Sequence, residues 1–225
     1  MNAEQILSKL NSRANPRNVV GMQRFGISGR KMLGISIPFL RSTAKKIEKN
    51  HELALELWDS GIHEAKILAA FIDEPARVSE KQLEEWVSEF DSWDVCDQVC
   101  SSLFDKTPSA WEKAFEWSFR EEEFVKRAGF AMMACLAVHD KQAKNAKFEK
   151  CWKRIEAESG DERNFVKKAV NWALRQIGKR NKNLNKKAIA RAKRVLKQKS
   201  KSAQWIAKDA LRELQSSAVQ KKLKK

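Results

Sequence analysis

Apolar positions recur at three- and four-residue intervals along almost the whole chain, which is the repeat of an amphipathic helix. In residues 79–90, Leu83, Trp86, Val87 and Phe90 form one apolar stripe among acidic positions. The pattern predicts helices over residues 5–14, 17–25, 38–50, 51–59, 62–73, 79–90 and 92–104, then 108–119, 122–138, 146–159, 161–178, 184–197 and 203–216. Residues 26–34 read as a loop with three glycines, and Pro38 suits the first turn of the helix it opens. The links are short, as antiparallel helical neighbours require. Residues 220–225 read as a frayed basic tail after a single domain over 1–219.

Composition agrees with an all-α chain. Among 225 residues there are 8 Gly, 4 Pro and no Tyr, too few turn and strand formers for a many-stranded β fold. Cys96, Cys100, Cys135 and Cys151 lie in apolar helical stretches without a CxxC pair. A zinc ribbon or disulfide framework is therefore not expected, and a reducing compartment is. The longest nearly uncharged apolar run, 128–138, is too short to span a bilayer, and residues 1–18 hold no apolar leader. A cytoplasmic, nucleoid-associated protein is expected.

Charge narrows the partner. Lys and Arg number 45 against 29 Asp and Glu, a net of +16. Residues 51–100 hold 3 basic and 13 acidic groups, whereas residues 151–225 hold 23 basic and 6 acidic. A basic C-terminal third of that density fits a polyanion, most simply nucleic acid. The acidic block falls on polar helix faces and is expected to point away from phosphates.

A weak repeat runs through the same region. Phe124-Val125-Lys126-Arg127-Ala128 recurs as Phe165-Val166-Lys167-Lys168-Ala169, and Trp205-Ile206-Ala207-Lys208 echoes it. A period of about 40 residues fits HEAT-type helical pairs, which stack into a curved right-handed solenoid with a concave face. Arg127, Lys168 and Lys208 would then line a basic groove.

Three segments carry candidate chemistry. In the helix after Asp91, the residues Trp93, Cys96, Cys100, Leu103 and Phe104 share one face, with Asp97 on its edge beside Trp93. Asp97 is either a salt-bridged carboxylate at a helix contact or the acid of a cleft. Arg127 opens a run of apolar residues and either pairs with a carboxylate such as Asp97 or clamps a phosphate. Lys168, Trp172 and Arg175 share a face as either a nucleic-acid stripe or a core indole between snorkelling stems. There is no GxxxxGK[ST], GxGxxG, HExxH or GxSxG, and three scattered histidines lack ligands at metal spacing. No metal or other cofactor is expected.

The chain resembles the AlkD-like DNA alkylation-repair glycosylases over about residues 17–214. The resemblance rests on Met32-Leu33-Gly34-Ile35-Ser36-Ile37-Pro38-Phe39-Leu40-Arg41, on Trp93-Asp94-Val95-Cys96-Asp97, on Lys126-Arg127-Ala128, and on Lys168-Ala169-Val170-Asn171-Trp172-Ala173-Leu174-Arg175. It implies HEAT-like repeats and a monofunctional enzyme that removes cationic N3- and N7-alkylated purines from duplex DNA without flipping the base. It also implies that Asp97 is the catalytic carboxylate, that Trp93 and Trp172 wall the cleft, and that Arg127 contacts phosphate. Phe25 stands where one branch of the family has a tyrosine. Lys168, Arg175, Lys208 and Arg212 complete the expected phosphate contacts, and a monomer is expected. The alternatives are a non-catalytic HEAT-repeat protein that binds damaged or distorted DNA, and a scaffold for an acidic protein.

Overall fold

The computed structural model describes residues 1–224. Helices α1 (Ala3–Asn11), α2 (Pro16–Arg24), α3 (Ile37–Ile47), α4 (His51–Asp59), α5 (His63–Ile72), α6 (Glu80–Ser88) and α7 (Trp93–Ser102) come first, followed by a 3-10 turn at Phe104–Lys106. Then come α8 (Ala110–Trp117), α9 (Glu123–His139), α10 (Asn145–Glu158), α11 (Asn164–Gly178), α12 (Lys182–Val195), α13 (Lys201–Leu214) and α14 (Ser217–Lys224). No strand occurs among the described residues. The all-α expectation is met, and the predicted elements differ from the observed ones mainly at their ends. Those ends are set by caps: Asn181 accepts from the Leu184 amide at 3.0 Å and Ser200 from the Ala203 amide at 3.3 Å, so α12 and α13 each begin two residues early. The expected tail is helical from Ser217 to Lys224, while residue 225 lies outside the described residues.

The chain divides into two compact units, Met1–Pro108 and Ser109–Lys225. In the first, α5 is central and packs against α3, α4 and α7. Its helices are Leu-, Ala- and Ile-rich on the buried side, and Leu57, Ile67, Leu68 and Ile72 are fully buried. An aromatic cluster closes one end: Trp58 and Trp86 stack with centroids 3.9 Å apart, and Phe90 and Phe104 pack around them. Both tryptophans are buried packing anchors, and Trp86 lies on the apolar stripe read in residues 79–90.

In the second unit, α9, α11 and α13 form one row, and α10 and α12 pack together as a second row against α11 and α13. Helix α9 is apolar on all sides from Ala128 to Ala137 and is the buried spine. Gly129 is required there, because any Cβ at this position would run into the Ser118 backbone of the approaching α8 segment. The weak repeat has a structural meaning in this row: Phe124 of α9 and Phe165 of α11, equivalent positions, stack with centroids 5.4 Å apart.

All four cysteines are buried, and burial pushes the Cys151 thiol up to about 12. No helix among the described residues is long and apolar enough to cross a membrane, and no group of three or more His, Cys, Asp or Glu among them is placed to hold a metal ion.

Candidate nucleic-acid interface

In the first unit, the candidate residues sit where α7 meets the loop after α2. Helix α7 buries Val95, Cys96, Val99 and Cys100, which turns Trp93 and Asp97 to its half-buried edge one turn apart. The Trp93 indole donates to the Phe25 carbonyl at 3.2 Å. Phe25 is the C-cap of α2, and its ring is 76% exposed. The structure therefore brings Trp93, Asp97 and Phe25 to one locality, with Phe25 contributing its backbone to the contact and its ring to solvent.

Two residues on α5 that the sequence reading passed over build this locality. His63 and Glu64 are both buried at the first turn of α5. The Glu64 carboxylate accepts three backbone N–H groups of the loop, from Leu33 at 2.8 Å, Gly34 at 2.7 Å and Ile35 at 3.2 Å. A buried carboxylate is stabilised by such a ring of donors. Gly34 itself has φ 75°, a conformation that suits glycine, and a Cβ there would strike the Asn15 carbonyl. The motif Met32-Leu33-Gly34-Ile35 is thus explained by how the loop folds over Glu64.

His63 anchors the start of α7. Its Nε2 lies 2.8 Å from Asp94 Oδ2, and Ser92 Oγ donates to Asp94 Oδ1 at 2.5 Å. Burial lowers the imidazole's proton affinity, but the Asp94 hydrogen bond and charge outweigh it, so the His63 pKa is raised above the ordinary value. Burial likewise raises the Asp94 carboxyl, and the His63 contacts with the Ser92 hydrogen bond outweigh that, holding it below the usual carboxylate range. Ser92 Oγ accepts the Ser28 amide at 3.3 Å, and Ser28 Oγ donates to the Asp91 carbonyl at 2.8 Å. One polar chain from α5 through Asp94 and Ser92 therefore pins both α7 and the loop that carries Phe25. In the sequence, Asp94 falls in the first turn of a helix, where a carboxylate suits the helix dipole and needs no distant partner. A histidine 31 residues away could not be paired with it from spacing.

In the second unit the expected phosphate contacts divide. Arg127 is 5% exposed, and its Nη1 donates to the Phe165 carbonyl at 2.6 Å, joining α9 to α11. Lys168 and Lys208, its counterparts in the repeat, are exposed and have no ion pair among the described residues. Arg175 is half-buried and paired with Glu213 at 2.6 Å and Asp209 at 3.4 Å. Arg212 is exposed and also pairs with Asp209. Asn171 donates to Asp209 at 2.7 Å, so Asn171 and Arg175 dock α11 on α13. Trp172 is half-buried on the same helix, and no hydrogen bond to its indole exists among the described residues. The neutralising acids were visible as the i, i+4 pair Asp209 and Glu213, but only the helix packing sets them beside Arg175.

Comparison with known proteins agrees with this architecture. A solved structure described as belonging to a new family of proteins related to the HEAT-like repeat DNA glycosylases, with affinity for branched DNA structures, has the same fold. It is 21% identical, its TM-score is 0.78, and 95% of each chain is covered. An uncharacterized protein of Listeria innocua is 24% identical over 196 residues, 85% of each chain. The model of the family described as DNA alkylation repair enzyme matches residues 6–214. The HEAT-like repeat fold and a family match over nearly the whole chain lead to one conclusion: the chain belongs to the DNA alkylation repair enzyme family.

Proposed function

We propose that this protein is a monofunctional DNA glycosylase that excises cationic N3- and N7-alkylated purines from duplex DNA without flipping the base. The observation that carries this reading is the pairing of Trp93 and Asp97 one turn apart on α7, beside a loop held in place by Glu64 and the His63–Asp94 pair. Membership of an alkylation repair family supports it. The reaction breaks the bond between C1′ and the purine nitrogen, and the electron pair neutralises the departing base. An alkylated purine thus leaves without a general acid. Positive charge grows on the deoxyribose as that bond stretches. The Asp97 carboxylate stabilises this charge and orients the water whose oxygen bonds to C1′, and the water's proton passes to solvent. Such a charge is worth far more in a partly dry cleft than in bulk water.

Trp93 offers its ring to the cationic nucleotide, an interaction worth about 0.5–2 kcal/mol, and Trp172 is the aromatic candidate of the second unit. Lys168 and Lys208 hold the phosphates. Arg175 and Arg212 sit in the same row with their charge shared by Asp209 and Glu213, and Arg127 acts on that row from within, through its bond to Phe165. The protein acts on nucleoid DNA in the cytoplasm, as a monomer and with no cofactor.

The test is release of 7-methylguanine from methylated duplex DNA. Wild-type protein is expected to release it, and Asp97→Asn is expected to retain duplex affinity while release falls roughly 100- to 1000-fold. Equal release by the two proteins removes Asp97 from the mechanism. A second reading, non-catalytic binding of damaged, distorted or branched DNA, is favoured by the branched-DNA affinity of the structurally similar protein. Duplex binding with no release by the wild type selects it.

A further inference from the structure

The second unit carries another cationic surface, on the row that holds none of the residues considered above. Helix α12 has six basic residues and no acidic one. Helix α10 beside it has three acids, and each is in an ion pair. Glu149 meets Lys187 at 2.5 Å, Glu156 meets Arg191 at 3.0 Å, and Glu158 meets Arg154 at 2.7 Å and Lys126 at 3.0 Å. The first two pairs cross between α10 and α12, so the acids are consumed in the seam. What remains on the outer surface is Lys150 and Lys153 from α10 and Lys182, Lys186 and Lys193 from α12. All five are exposed, and none has an ion pair or hydrogen bond among the described residues.

The contrast with the α11–α13 row is informative. There Asp209 and Glu213 neutralise Arg175, Lys179 and Arg212, leaving Lys168, Lys201 and Lys208 exposed without an ion pair among the described residues. The row that was not predicted to bind anything therefore holds more uncompensated charge than the row that was. Like charges on adjacent helices repel one another, and a bound polyanion relieves this by displacing its own condensed counterions. Neighbouring helices lie roughly 8–10 Å apart, and lysines seven residues apart on one helix rise by about 10 Å. Those spacings match phosphates on either side of a duplex groove, about 6–12 Å across.

We propose that the outer face of α10 and α12 is a second duplex-binding surface, so that one chain holds two DNA duplexes at once. The inference rests on the reading of the α11–α13 row as the first DNA surface. The two rows back onto each other, and their exposed faces point apart. A DNA that offers two duplex arms, such as a four-way junction, is then the ligand held most tightly, because the second contact becomes intramolecular.

The experiment is sedimentation of the full chain titrated with a short linear duplex, with a four-way junction as the second probe. Wild type is expected to take up two duplexes per chain and to bind the junction roughly 100-fold more tightly than the linear duplex. A variant combining Lys150→Gln, Lys186→Gln and Lys193→Gln is expected to take up one duplex, to bind the junction no better than the linear duplex, and to keep the wild-type rate of purine release. All three positions are exposed, and an unchanged melting temperature verifies the fold. Lys168→Gln with Lys208→Gln is expected to leave the outer site, so that one duplex is still bound. One duplex per wild-type chain at saturation, or two on the triple variant, overturns the second surface while leaving the function proposed above intact. No duplex on the wild type overturns both.

Discussion

The indole N–H of Trp93 bonds to the main-chain carbonyl of Phe25 at 3.2 Å, so the residue at the end of α2 orients the tryptophan through its backbone and leaves its ring in solvent. The identity of the Phe25 side chain is therefore free to change without disturbing Trp93.

A tyrosine can replace Phe25 at no cost to the fold, because the ring is 76% exposed. The added hydroxyl supplies a donor toward bound DNA. Phe25→Tyr is expected to raise duplex affinity roughly 2- to 10-fold, the yield of one good hydrogen bond, with an unchanged melting temperature. Anisotropy titration with duplex DNA measures it. No gain in affinity places the Phe25 ring away from the DNA.

The His63–Asp94 pair makes stability depend on pH. The His63 pKa is raised on folding, so its contribution is complete below the ordinary imidazole value of 6.5 and is lost as pH rises through the folded value. The Asp94 pKa is lowered, so its contribution is complete above 3.8 and is lost as pH falls through the folded value. The pair contributes fully between those limits. Asp94→Asn leaves a buried imidazole without its counter-charge and is expected to cost about 3 kcal/mol near pH 5.5. The cost is expected to be smaller near pH 8.5, because the ion pair weakens as pH rises through the folded His63 value. Urea unfolding at the two pH values reads the difference, and an equal cost at both would show that the imidazole stays neutral.

Glu64→Gln tests the loop anchor. The amide keeps the shape of the carboxylate but loses its charge and offers an N–H to backbone donors, so at least one of the three bonds from Leu33, Gly34 and Ile35 is lost. The expected cost is about 1.5–3 kcal/mol. Amide hydrogen exchange resolves the site directly, because those three amides are expected to lose protection first. Uniform loss of protection throughout the first unit would assign Glu64 to global stability alone.

Salt dependence separates the cations of the α11–α13 row. Lys168→Gln and Lys208→Gln are each expected to lower the slope of log affinity against log salt by about 0.9, one phosphate each. Arg127→Gln is expected to leave the slope unchanged and to destabilise the fold, since its guanidinium is buried on the Phe165 carbonyl. Affinity measured across a salt series gives the slopes, and thermal melting gives the stability. A slope change of the lysine size for Arg127→Gln would place its guanidinium on a phosphate.

The helices of this chain were readable because helix formation is written in neighbours three and four residues apart. The stripe Leu83, Trp86, Val87 and Phe90 needs no distant partner to be recognised, and all four are buried. The face of α7 was readable in part for the same reason: Cys96 and Cys100 point inward and Asp97 comes to the edge, whereas Trp93, read on the same face as the cysteines, is half-buried. The net positive charge of the last third was likewise a property of composition. The tertiary structure alone decided which charges remain available. Arg127, Lys168 and Lys208 are equivalent in the repeat, yet the first is buried on a carbonyl 38 residues away and the others reach solvent. Arg175 meets Glu213, His63 meets Asp94, and the acids of α10 vanish against α12, each through contacts between helices far apart in sequence. Periodicity orients a side chain on its own helix. Whether it then meets an opposite charge, a carbonyl or water depends on which helix packs beside it.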